Sequence, residues 1–174
     1  MLLFANNTPM KLKQPHTLLV SVALLCTAML LMSTSPKVAD YGWLKQRLET
    51  TKSFTLEVIK AMPADSYDFK PNDDVRSFKA QAYHIIYSIN YFNRVFKGNA
   101  SAPWSPGGEN SKSKTELIEW ATEQFDTINA TILAAEPSDA LTNGILSYLD
   151  HNAHHRGQMI TYLRMNDITP PSYR

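Results

Sequence analysis

The sequence predicts an all-α fold, a four-helix bundle preceded by an N-terminal signal peptide or anchor. Two observations predict the bundle. Four segments of about helix length repeat apolar residues every three or four positions, and Pro- and Gly-rich stretches separate them with nothing that reads as a strand pair. The third observation is an uncharged apolar run close to the N-terminus. A chain of 174 residues suffices for one domain with a real core. Residues 1–36 are therefore read as the signal peptide or anchor and 37–174 as the bundle domain.

The leader has the parts of an export signal. The basic "MKLK" precedes residues 17–32, "TLLVSVALLCTAMLLM", and "STSPK" follows. Ser33 and Ser35 suit the small positions before a cleavage site, although Pro36 directly after them is unfavourable; Met10 is an alternative start. A spanning helix takes about 20 apolar residues, so residues 17–32 are short for one, and membrane anchoring is expected only if the leader is uncleaved. The predicted location is exported, periplasmic or extracellular, with anchoring by 17–32 as the alternative. Cys26 is the only cysteine, which leaves the body without disulfides or a cysteine nucleophile.

The first helix is predicted over about 40–61, with Leu44, Leu48, Thr51, Thr55, Val58 and Met62 on one face and Pro63 as its stop. "MPADSYDFKPNDDVRS" then reads as a loop. The second covers about 77–97, capped by Ser77, with Phe78, Ala82, Ile85, Ile89, Phe92 and Phe96 as its stripe. "NASAPWSPGGENSKS" is a long connection. The third opens on a capping box, Ser113-x-x-Glu116, and runs to about Ala135. The fourth is predicted from near Asn143 or Gly144 to about Asn166, ahead of Pro170 and Pro171. Two long connections between four helices fit a bundle.

Charge excludes one class of partner. The formal net charge is +1, but Lys11, Lys13 and Lys37 precede the first acidic residue, Asp40. From there 14 Lys and Arg face 16 Asp and Glu, about −2, with no basic stripe for nucleic acid.

Histidine carries the chemistry. Three of the five histidines fall in "DHNAHHRGQM", residues 150–159. His151 and His155 lie one helical turn apart on nearly the same face, where both rings can reach one ion. His151 with His154 is the competing pair. At about 100° per residue, His155 flanks the apolar stripe of Ile145, Leu149, Ile160 and Leu163 together with Tyr148, Met159 and Tyr162. His151 lies just beyond, beside Gln158, and His154 points to solvent. The remaining body histidine, His84, sits off the stripe of the second helix with Gln81, Ser88 and Tyr91. On spacing alone H-x3-H is equally a solvated helix surface; the three histidines sharing flanks make a polar pocket between helices the stronger reading.

Other chemistries fail on named residues. A zinc protease of H-E-x-x-H type needs Glu where Asn152 stands. A di-iron bundle needs E-x-x-H pairs that the second helix lacks. No G-x-S-x-G elbow or phosphate-binding glycine loop occurs, and "WSPGGEN" reads as a plain loop. Asn152 and Arg156 fall on the apolar stripe, so Arg156 is expected to meet a carboxylate such as Glu57, Glu119 or Asp126. Gly157 suggests a close helix approach. Tyr87, Tyr91, Tyr148 and Tyr162 are candidates to line the pocket, with Gln81 and Gln158 beside the ligands.

"RSFKAQAYHI", "DHNAHHRGQMITYLR" and "DITPP" resemble the DinB-like (YfiT-like) metal-binding four-helix bundles over roughly residues 40–172. The resemblance implies that His84, His151 and His155 hold one divalent metal ion, zinc or nickel, with His154 outside the ligand set. It implies a homodimer and an activity among the thiol-dependent transferases and isomerases that use bacillithiol, mycothiol or glutathione. Relatives are mostly cytoplasmic, whereas the leader points to export, where a hydrolase acting on a small molecule fits better. Both enzymatic readings stand beside a non-catalytic one, in which metal staples the bundle or the domain is a binding module. Imidazole alone does not select the ion.

Overall fold

Three of the four helices begin at a serine whose side chain accepts from a backbone N–H of the first turn. The structure, a computed structural model, describes residues 40–99, 101 and 103–173; the predicted leader lies outside them. A 3-10 turn, Gly42–Leu44, leads into α1, Lys45–Ala61, which ends ahead of Pro63. Helix α2 is Phe78–Phe96, and Ser77 Oγ accepts from Ala80 N at 3.1 Å as its cap. Helix α3, Lys114–Ala134, opens on the predicted capping box, with Ser113 N donating to Glu116 Oε2 at 2.8 Å. Helix α4 is Asp139–Met165. The described residues contain no strand.

Helix α4 starts about one turn earlier than predicted. Ser138 is the cap, accepting from Leu141 N at 3.2 Å, and Tyr41 OH donates to Ser138 O at 3.2 Å, tying the chain's first described turn to it. Gly144 is a packing position instead. A Cβ there would stand 3.0 Å from Phe96 Cε1, so the glycine lets α4 approach the end of α2. At Gly157, where close approach was expected, nothing lies within 4 Å. The sequence marked Gly157 as a glycine inside a helix and Gly144 as a helix start, and could not tell which one faced a neighbour.

Val38–Arg174 forms one unit, in which α1 and α2 each pack against both α3 and α4. The predicted faces of α1 and α2 supply the core: Leu48, Val58, Phe78, Ala82, Ile85 and Ile89 are buried, against Leu117, Phe125, Ile128 and Ile132 of α3. On α4 the buried face is turned slightly toward Tyr148 and Met159, both at 0% exposure, while Ile160 is half-buried. Among the described residues no helix is long and apolar enough to cross a membrane.

The two long connections are packed. Tyr67, in the first, is buried and donates to Ile59 O at 2.6 Å, and Lys114 Nζ caps the end of α1 by donating to Met62 O at 2.7 Å. The second is fastened to α2 by tyrosines. Tyr83 OH donates to Gly107 O at 2.7 Å, and Tyr87 OH accepts from Ser105 N at 2.8 Å.

Candidate metal centre

The contact between α2 and α4 brings His84 of one helix onto His151 and His155 of the other. Ring centroids lie 4.4 Å apart for His84–His155 and His151–His155, and 5.3 Å for His84–His151. One ring nitrogen of each falls within 4.8 Å of the others, a grouping able to hold a metal ion. A tetrahedral ion with bonds of about 2.0–2.1 Å separates its nitrogens by about 3.4 Å, so small ring rotations suffice. His84 is buried, and His151 and His155 are half-buried. His154 is exposed, as its position on the helix predicts.

Neighbouring side chains hold two of the rings and fix the tautomer of His151. Ser88 Oγ donates to Ile85 O at 2.7 Å, which uses its only proton. It therefore accepts from His151 Nδ1, 3.1 Å away, and leaves Nε2 with a free lone pair. Gln158 Oε1 lies 2.9 Å from His155 Nδ1 and also accepts from Gln81 Nε2. Gln81 Nε2 is itself 2.7 Å from that Nδ1, so the two amides together hold the His155 ring at this nitrogen. His84 Nδ1 is buried with no hydrogen-bond partner.

All three rings are held neutral. Burial pushes His84 down from 6.5 to about 3, with further lowering by His155, Arg76 and His151. Burial likewise lowers His151 to about 4, helped by His155 and His154. His155 is lowered by burial, against a raising hydrogen bond from Gln158. Neutral imidazoles with free lone pairs, one of them with an orphaned buried nitrogen, suit a divalent cation as donors.

The surroundings divide into two sides. On one, Trp104 of the second connection sets its ring 5.6 Å from His84 and 5.1 Å from each of Tyr87 and Tyr91, all edge-on. On the other, a cavity of about 560 Å³ is lined by His155, Gln81, Gln158, Tyr162 and Ser77, with Lys70, Asp74, Arg76 and Glu109 at its rim. Tyr162 OH donates to Arg76 O at 3.1 Å.

The remaining candidates fall elsewhere. Tyr148 is in the core against Phe92 and Phe96 and lines no part of this cavity. Tyr91 belongs to the Trp104 side. Asn152 is fully buried, donating to Tyr148 O at 3.2 Å and leaving Oδ1 without a partner. Arg156 is buried as expected; among the described contacts its NH1 donates to a hydroxyl, Thr55 Oγ1, at 3.0 Å, and its guanidinium lies 4.8 Å over the Phe54 ring. Asp126, one of the carboxylates expected to meet it, pairs with Lys52. Trp104, Arg76 and Glu109 are the neighbours that sequence reasoning missed. They sit on connections whose path no periodicity encodes, and the clustering of Tyr83, Tyr87 and Tyr91 on one side of α2 was the available signal.

A helical bundle with three neutral imidazoles converging from two adjacent helices belongs to the class of bundles that build metal sites between facing helices. The chain belongs to the DinB superfamily, whose family model matches residues 47–159 and so takes in all three histidines. Among curated proteins none matches the chain.

Proposed function

We propose that the protein holds one divalent ion, zinc or nickel, through His84, His151 and His155, and acts with it on a small molecule. The reaction is transfer of a low-molecular-weight thiol or a hydrolysis. The observation that supports this best is the cluster itself, three neutral rings that each bring one nitrogen within 4.8 Å of the others', two of them held through a ring nitrogen by neighbouring side chains. Three neutral protein ligands are the donor set of catalytic rather than closed structural zinc sites. An ion bound there supplies Lewis acidity, which lowers the pKa of a water or thiol presented to it.

The chain's own residues do the rest. Ser88 and Gln158 orient two of the rings, and Trp104 with Tyr87 and Tyr91 shields His84 from water on one side. The cavity beside His155 is of the size that takes a small molecule. No carboxylate hydrogen-bonds these rings in the contacts described, and the carboxylates beside the site are those of Asp74 and Glu109 at the cavity rim. Thiol transfer follows the family, and hydrolysis follows the export signal. Crystals of metal-loaded protein soaked with glutathione test the reading. Sulfur density at the ion supports thiol transfer, and a fourth protein ligand closing the coordination sphere contradicts both reactions.

The cluster bridges α2 and α4, which favours a structural staple as the second reading. Thermal melts with and without chelator discriminate: a staple loses much stability on chelation and leaves the ion inaccessible to added thiols. The location belongs to the same proposal, and N-terminal sequencing of protein from fractionated cells tests it. An intact Met1 or Met10 terminus in the soluble cytoplasmic fraction contradicts export.

A further inference from the structure

We propose that the cavity beside His155 binds a small carboxylate-bearing molecule, whose carboxylate displaces Glu109 from Arg76. The inference rests on the metal-site reading above and names the substrate class for it. The cavity has a neutral polar floor, with Ser77, Gln81 and Tyr162 buried and His155 and Gln158 half-buried, under a rim of two cations and two carboxylates. Of these rim charges, Arg76 is the one tied to the floor, its backbone oxygen accepting from the Tyr162 hydroxyl at 3.1 Å.

Arg76 meets Glu109 through Nε alone in the contact described, at 3.0 Å, and the two side chains are 42% and 29% exposed. A single contact this open to water is weakly held, and a guanidinium pairs best with a carboxylate that it can grip with two parallel donors. Glu109 is therefore a replaceable occupant. Its position comes from the loop it follows. Gly108 takes φ +96°, and a Cβ there would stand 3.3 Å from Tyr83 OH and 3.2 Å from Ser111 Oγ, so the loop lies close on α2 and delivers the next residue to the rim.

The test measures binding of glutarate, with neutral glutaramide as control, by calorimetry on the full-length protein loaded with zinc. Wild type is expected to bind glutarate and to ignore glutaramide. Arg76→Gln is expected to weaken glutarate by about tenfold or more, the loss of a charged hydrogen-bonded pair. Glu109→Gln is expected to tighten it by roughly two- to fivefold, because the competing carboxylate is gone. Opposite signs are the diagnostic result, since loss of a merely structural ion pair moves both variants the same way. Equal or parallel effects, equal binding of the diamide, or no glutarate binding overturn the inference. Zinc content is read on the same samples. A wild type without zinc overturns the metal reading and this inference with it, whereas loaded protein with indifferent Arg76→Gln overturns this inference alone.

Discussion

Ser88 shows how a residue that touches no substrate can decide what a site does. Its hydroxyl proton is committed to Ile85 O, so the contact with His151 Nδ1 can run only from ring to oxygen. Ser88→Ala removes that acceptor and frees the ring to turn. Loss of such an orienting partner weakens metal affinity by about 10–100-fold, to be measured by competition with a chromogenic chelator; unchanged affinity would mean that packing alone holds His151. The histidines themselves also predict a pH dependence. His84 and His151 titrate near 3 and 4 in the folded chain against an ordinary value of 6.5, so the unfolded chain binds more protons between those limits. The metal-free protein is therefore expected to keep this contribution above pH 6.5 and lose it as pH falls through 6 and 5, with a shallower loss in His84→Gln. Thermal melts across that range read it out, and a metal-free protein equally stable at pH 7 and 5 contradicts it. The ligands are legible in the sequence because i, i+4 spacing and helix angle are local properties. Ser88 shares a face with His84 at i+4, yet its bond to His151 depends on how α2 sits on α4.

At the scale of the helix, the glycines of α4 test the packing. Gly157 is exposed, and a Cβ added there would meet nothing within 4 Å. Gly157→Ala should stabilise the helix by about 0.5–1 kcal/mol, raising Tm by roughly 2–5 °C without changing metal content. Gly144 is the opposite case, because Phe96 occupies the space of a larger side chain. Gly144→Val should destabilise by about 1–3 kcal/mol, the usual cost of overpacking. Paired melts of the two variants check both signs. The capping box of α3 and the serine cap of α2 are readable as sequence because they join residues three apart. The start of α4 was not: the sequence pointed to Asn143 or Gly144, whereas the helix is capped by Ser138, whose carbonyl oxygen accepts from Tyr41, 97 residues away.

Across the whole molecule, helix periodicity makes the bundle legible, while the pairing of α2 with α4 and the course of the second connection are tertiary facts. That pairing places one histidine against two and makes three side chains a single site. The connection adds an aromatic shield through Trp104 and a charged rim through Glu109. Nothing in "WSPGGEN" alone reveals either role; the tyrosines of α2 fasten the loop only once it is folded. The central claim is that His84, His151 and His155 act together as the ligands of one ion while His154 takes no part. Its most direct test is metal content per chain, by mass spectrometry, in wild type and four single His→Ala variants purified under identical conditions. The expected result is about one ion per chain in wild type and His154→Ala, and strong loss in His84→Ala, His151→Ala and His155→Ala. Full metal content in His84→Ala, or loss in His154→Ala with retention in His155→Ala, would contradict it.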